Sequence, residues 1–283
     1  MREQSAPDTL TLIFTGEEII MPPSSSLSSN RIQVVSSLSE LFNARFDPAH
    51  AIMYPRKLSQ DFNALAHKLA EIMQMHDFDS HARFMAVDNG GEYPNLKEIA
   101  KDLDGPEAQA LAVIIADMDR IFCHTGRPHP GRLFLPELRL IGPGGYRTDP
   151  VELFHTDAGA ADDILFGRMC CCYNAPTTEY IRNEDAVQAD AQLLAKAKSK
   201  VPEGYESCFY DVRPGAEIVS VEPGTLWRQT FDETIPGLEP FIHRGLPGEP
   251  YRLFLTTQLS REDEYHPDAL ALRTRAQAAG PDF

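Results

Sequence analysis

From Gly131 onward the chain breaks into short apolar runs parted by Gly and Pro: Leu133 to Ile141, Ile164 to Tyr173, Ile218 to Val221, Leu226 to Phe231 and Tyr251 to Leu259. Runs this short and this often interrupted suit the strands of a β-sandwich or barrel. The first half has a different texture. Between Ser59 and Met75, Phe62, Leu65, Leu69, Ile72 and Met73 recur at intervals suited to an amphipathic helix. A second helix is expected from Pro106 to Phe122, with Pro at a favourable early position and a buried stripe of Leu111, Ile114, Ile115, Met118 and Phe122. Asp117 and Asp119 then fall on its solvated face. The expected fold is α+β, a double-stranded β-helix (jelly roll) with an N-terminal helical elaboration.

Within one structural domain, four stretches are expected. Residues 1–30 hold Pro22-Pro23 and the Ser24 to Ser29 stretch and should be mobile or lie along an edge. Residues 31–130 form a helical region packed on the core, 131–262 the jelly-roll core, and 263–283 a C-terminal helix or tail. Ala-rich Asp185 to Lys200 reads as a helical insertion between strands. A formal charge of −16 argues against nucleic acid or an anionic membrane surface as partner. No run nears the roughly 18 apolar residues of a membrane span, and no N-terminal apolar stretch follows a basic region, so a cytoplasmic location is expected. Five Cys, three of them adjacent, point to free thiols in a reducing compartment.

Within the β-rich half, His155-Thr156-Asp157 ends a predicted strand from Leu153. Period-two geometry sets His155 and Asp157 on one face. His243 follows 86 residues after Asp157, and Arg252 nine residues later. Two imidazoles and a carboxylate can occupy one face of a ferrous ion and leave three positions open. A distant His completes such a triad only if the sheet closes on itself, as a jelly roll does. The alternative is a hydrogen-bonded core His155 with Asp157 capping the Ala158-Gly159-Ala160 turn. Arg252 shares a face with Phe254 and Thr256, and its fork suits a carboxylate; the alternative is a surface ion pair with Glu249. A second His-x-Asp, His266-Pro267-Asp268, has no later His and reads as a turn entering a terminal helix.

In order and spacing, His155, Asp157, His243 and Arg252 resemble the motif of the ferrous iron and 2-oxoglutarate-dependent oxygenases. The resemblance implies metal ligation by His155, Asp157 and His243, with Arg252 anchoring the far carboxylate of 2-oxoglutarate. It implies dioxygen and a small molecule as partners, and hydroxylation, desaturation or cyclisation as the outcome. Many members carry Ser or Thr two residues after the Arg; this chain has Phe254, with Thr256 on the same face as a substitute. Tyr173 and Asn174, at the end of a strand, would line the cosubstrate pocket or simply form a turn. Arg168, Arg228 and Arg244 could meet an acidic or amino-acid-like substrate.

The stretches Leu153 to Asp157, Arg168 to Tyr180 and Phe241 to Arg244 also resemble an uncharacterised bacterial family, the domain of unknown function 1826. Ala175, Thr177 and Tyr180 depart from its usual Gly, Gly and Trp.

Other motifs are weaker. In Cys170-Cys171-Cys172, strand alternation turns the middle thiol away, so buried packing is expected. His124 and His129 flank a loop, and Gly142-Pro143-Gly144-Gly145 lacks the features of a phosphate loop. Two other functions fit the triad residues: a cupin-like zinc or iron protein without oxidation, and a noncatalytic module in which they are structural.

Overall fold

The computed structural model describes residues 31–46, 49–75, 81–86, 93–125, 132–143, 152–157, 167–176, 178–196, 206–230, 239–246 and 251–261. The expectations for residues 1–30, 263–283, the Ala158 turn, His129 and His266 to Asp268 lie outside these residues.

Thirteen strands and five α-helices are described. In the first half come β1 (Ile32–Val34), α1 (Leu38–Asn43), β2 (Ala51–Tyr54), α2 (Phe62–Ile72), β3 (His81–Met85), α3 (Leu96–Ile99) and α4 (Gly105–Thr125). The second half carries β4 (Arg132–Ile141), β5 (Phe154–His155), β6 (Arg168–Cys172), β7 (Thr178–Tyr180), β8 (Ala186–Gln188), α5 (Ala191–Lys196), β9 (Phe209–Val212), β10 (Val219–Ser220), β11 (Leu226–Gln229), β12 (His243–Gly245) and β13 (Arg252–Arg261). A seven-stranded sheet has the order β1-β2-β11-β6-β13-β4-β3, and a six-stranded sheet the order β10-β7-β12-β5-β9-β8. All pairs are antiparallel except β1 with β2. The protein is thus mixed α+β with large antiparallel sheets. From β4 to β7 the chain alternates between the sheets, and from β10 to β13 it does so again.

Strand parity sorts the residues of the larger sheet into two cores. Ile52, Tyr54, Phe84, Leu138, Leu140, Met169, Cys171, Leu226, Leu253 and Leu255 pack with Leu65, Leu69, Leu111 and Ile114 of α2 and α4. Their strand neighbours Met53, Cys170, Cys172 and Trp227 turn the other way and meet Tyr180 and Phe241. The result is a helical layer, a wide sheet and a smaller sheet. Both expected long helices are present, α2 capped by Asp61, whose carboxylate accepts from Ala64 N–H at 2.9 Å.

Four expectations change. The first half is not only helical, because β1, β2 and β3 extend the larger sheet at both edges. The Asp185 to Lys200 stretch gives strand β8 before the short α5; pairing with β9 overrides its helical propensity. Asp117 is buried at 1% exposure rather than solvated. The buried Arg56 guanidinium holds it, Nη1 donating to Oδ1 at 2.8 Å and Nη2 donating to Oδ2, while Arg56 Nε donates to Gly224 O at 2.8 Å. Asp119 does reach the surface region, where it pairs with Lys97 at 3.0 Å. His124 belongs to the last turn of α4, stacked on Phe42 at 4.1 Å, and not to a loop. No helix among the described residues is long and apolar enough to cross a membrane.

Candidate metal centre

His155 on β5 and His243 on β12 stand opposite each other in the antiparallel register. Their rings lie 4.6 Å apart between centroids. Asp157, two residues past His155, completes a group whose ligand atoms all fall within 4.8 Å of one another.

Backbone carbonyls fix which nitrogen each imidazole presents. His155 Nδ1 lies 2.8 Å from Leu153 O, and His243 Nδ1 lies 3.2 Å from Phe241 O. A carbonyl only accepts, so each Nδ1 carries the proton and donates, which leaves Nε2 as the lone-pair nitrogen. Both partners are the residue two positions upstream, so the same local turn orients both rings. Burial pulls the His243 imidazole down to about 4 against the opposing pull of Asp157, which keeps the ring neutral near pH 7.

Asp157 is held as a carboxylate. Burial pushes its pKa up, but the Arg168 guanidinium, the two imidazoles and a Gln229 hydrogen bond outweigh burial and bring it to about 2. Arg168 Nη1 sits 2.8 Å from Oδ1, and Gln229 Nε2 donates to Oδ2 at 2.6 Å. Each carboxylate oxygen can accept a second partner, so both contacts leave capacity for a cation. Two imidazoles with Nε2 turned inward and one ionised carboxylate, converging from β12, β5 and the residues just past β5, are a donor set that fits a divalent first-row metal.

One cavity between the sheets is lined by the triad together with Arg139, Ile141, Arg168, Cys170, Thr178, Trp227, Gln229, Gly245, Leu246, Arg252, Phe254 and Thr256. The triad strands form one wall, and β4, β6, β11 and β13 the other. Arg252, Thr256 and Arg168 from the sequence reading therefore share the cavity with His155, Asp157 and His243. Arg252 is buried and donates from Nη1 to Leu246 O. Thr256 Oγ1 lies 3.8 Å from Cys170 Sγ.

Four expected site residues lie elsewhere. Tyr173 continues β6 on the helix-facing side and donates its hydroxyl to Asp117 Oδ2 at 2.7 Å. Asn174 ties loop to strand, donating to Tyr251 O at 2.6 Å and accepting from Leu253 N–H at 2.9 Å. Arg228 alternates with Trp227 and Gln229, so it points away from the cavity and donates to the carbonyls of Leu41, Phe42 and Ala44 at the C-terminal end of α1. Arg244 pairs with Glu179 at 2.6 Å and covers the Phe154 ring at 4.5 Å.

Trp227, Gln229 and Arg139 went unnoticed in the sequence. Trp227 and Gln229 are two apart on a strand and so share a face, but no spacing links them to His155. Arg139 offered the same signal as Arg252, a guanidinium inside an apolar strand run. The three adjacent thiols are buried on β6, as expected, Cys170 on the side that lines the cavity, and none of the five Cys forms a disulfide.

No family model matches the chain, and no curated protein matches it. A solved structure, JOX2 in complex with 2OG, Fe and JA, overlaps with a TM-score of 0.31 at 10% identity, covering 76% of this chain and 68% of that one.

Proposed function

We propose that the protein is a mononuclear non-haem Fe(II)/2-oxoglutarate-dependent oxygenase built on a jelly roll, acting on a small molecule. The observation that carries this reading is the convergence of His155, Asp157 and His243 on a cavity whose opposite wall bears Arg252. The alternation of β4 to β7 and β10 to β13 between two facing sheets supports the jelly-roll assignment.

On this reading the triad holds the ion and Arg252 receives the far carboxylate of 2-oxoglutarate. Bound ferrous iron would supply the redox chemistry that couples dioxygen to decarboxylation of the 2-oxo acid and oxidation of a C–H bond. The chain's own contribution is positional. Leu153 O and Phe241 O set the two imidazoles, Arg168 and Gln229 keep Asp157 ionised and in one rotamer, and the two sheets keep bulk water from the ligands. Asp157 as third ligand favours hydroxylation, desaturation or cyclisation.

Adding 2-oxoglutarate to the anaerobic ferrous protein should produce a visible charge-transfer absorption. Intact iron binding without that band would overturn the oxygenase reading and leave a cupin-like iron or zinc protein. His155→Ala should abolish stoichiometric metal; a variant that keeps one bound ion would overturn the triad itself.

A further inference from the structure

Strand β13 outruns β6 at the end that carries Arg252. The β6–β13 ladder stops at the pair Cys172 with Phe254, and one backbone bond follows it, from Tyr173 N–H to Leu253 O at 3.0 Å. Beyond that point the side chain of Asn174 takes the place of a strand. Its Nδ2 donates to Tyr251 O at 2.6 Å, and its Oδ1 accepts from Leu253 N–H at 2.9 Å. A side-chain amide carries the same donor and acceptor as a peptide group, and both partners fix its orientation here, since a carbonyl only accepts and a backbone N–H only donates. The two bonds bracket Arg252, one on the residue before it and one on the residue after. On the other edge of β13, Arg252 itself pairs with Ile141 of β4, so the backbone at Arg252 is held from both sides.

The helical layer holds Asn174 in turn. The second hydrogen of its Nδ2 reaches Asn63 Oδ1 of α2 at 3.1 Å. One turn further along α2, His67 meets the Tyr251 ring edge-on at 5.6 Å, and Phe62 packs on Tyr173 at 5.2 Å. Asn63 and His67 share a helix face, so α2 grips the chain where β6 ends and where β13 begins. Resting on the oxygenase reading above, in which Arg252 receives the far carboxylate of 2-oxoglutarate, we propose that Asn174, backed by Asn63, is a positioning residue for Arg252. Arg252 also donates to Leu246 O, and where its strand holds its Cα decides what else the guanidinium reaches. A guanidinium fork meets a carboxylate with two parallel bonds only in a narrow geometry, which a shift of about 1 Å in the supporting strand is enough to lose. The paired triad strands β5 and β12 belong to the other sheet, so the effect falls on the cosubstrate's far end and not on the metal. Asn174 thus acts on the cosubstrate through Arg252 rather than by contact.

The test is equilibrium binding by calorimetry to the Mn(II)-loaded full-length protein without oxygen, using 2-oxoglutarate and 2-oxobutanoate, a monoacid with no far carboxylate. Wild type should prefer 2-oxoglutarate. Asn174→Ala removes both bracketing bonds and should weaken 2-oxoglutarate at least about fivefold, with 2-oxobutanoate and Mn(II) changed by less than about twofold. Asn63→Ala removes only the backing bond and should weaken 2-oxoglutarate about two- to threefold while sparing 2-oxobutanoate. Ala is the better helix former, so a loss in that variant does not come from a weakened α2. Should Asn174→Ala fail to fold, Asn63→Ala decides alone. A role confined to stability would lower the melting temperature and leave the ratio of the two acids as in wild type; that result, or equal weakening of both acids, overturns the proposal while the oxygenase reading stands. A wild type that binds Mn(II) and neither acid overturns the oxygenase reading and this inference with it.

Discussion

Trp227 donates its indole N–H to Gln229 Oε1 at 2.7 Å, and that bond decides which end of the amide meets Asp157. An indole nitrogen only donates, so the amide oxygen must face Trp227 and the amide nitrogen must face the triad. There Nε2 lies 2.6 Å from Asp157 Oδ2 and 3.4 Å from His243 Nε2. Both side chains are buried, so water does not stand in for either partner.

Breaking this link should loosen the metal. Gln229→Leu removes the donor to Asp157, and its metal dissociation constant should rise about 10- to 100-fold, the range found for partners behind a ligand. Trp227→Phe lets the amide turn over and should show a smaller rise. Titration of apo-protein with Zn(II) or Mn(II) measures both; affinities equal to wild type would show that Arg168 alone suffices to orient Asp157.

The cluster of Arg56, Asp117 and Tyr173 should behave as one unit. Asp117→Ala leaves a guanidinium of 1% exposure without its carboxylate, a loss of about 3–5 kcal/mol. Tyr173→Phe removes one hydrogen bond and should cost about 1–2 kcal/mol. Denaturant unfolding of the double variant should fall short of the sum of the single losses; simple additivity would contradict the coupling.

Acid should destabilise the metal-free protein in two steps. Burial, opposed by Asp157, lowers the His243 pKa from 6.5 to about 4, so the unfolded chain takes up its proton first. The neutral ring's contribution is complete above pH 6.5 and is lost as pH falls toward 4, by up to about 3 kcal/mol. Asp157, depressed from 3.8 to about 2, adds its loss only below that window. Urea midpoints of chelator-treated protein between pH 7 and pH 4 should fall, and His243→Gln should flatten the slope. A wild-type slope that His243→Gln leaves unchanged would assign the acid sensitivity elsewhere.

Thiol chemistry should be slow in the native state. Burial pushes the Cys170 and Cys171 thiols far up, and Cys172 and Cys208 are buried as well, leaving Cys123 as the half-buried one. At pH 8 a thiol reagent should modify at most one group quickly and all five after denaturation. Rapid labelling of two or more native thiols would mean that β6 opens readily.

Much of the centre was legible because its signals are local. His155 ends β5 and Asp157 lies two residues past it, and Arg252, Phe254 and Thr256 alternate with Leu253 and Leu255 in a run whose parity is plain. His243 needed only the assumption of a closing sheet. The misreadings came from partners remote in sequence. Asp117 looked solvated because Arg56 lies 61 residues earlier, although its place three residues after Ile114 does put it beside the apolar stripe. Arg228 and Arg244 are near the motifs in sequence, yet parity sends Arg228 to the other side of the sheet from Gln229, and Glu179 occupies Arg244. Strands β1 and β2 are three and four residues long, too short for a periodic signal, and gain their place from the strands they pair with.

Alternation within β6, β11 and β13 has a consequence for how such a protein can diversify. Positions 168, 170, 227, 229, 252, 254 and 256 line the cavity, whereas 169, 171, 226, 253 and 255 belong to the helix-side core. Substitutions at the first set can reshape what the cavity accepts while every residue of the second stays in place. An insertion of one residue is another matter, since it would exchange the two sets at a stroke. Descendants of this chain are therefore free to explore new ligands by point substitution along these strands, and barred from doing so by changes in their length.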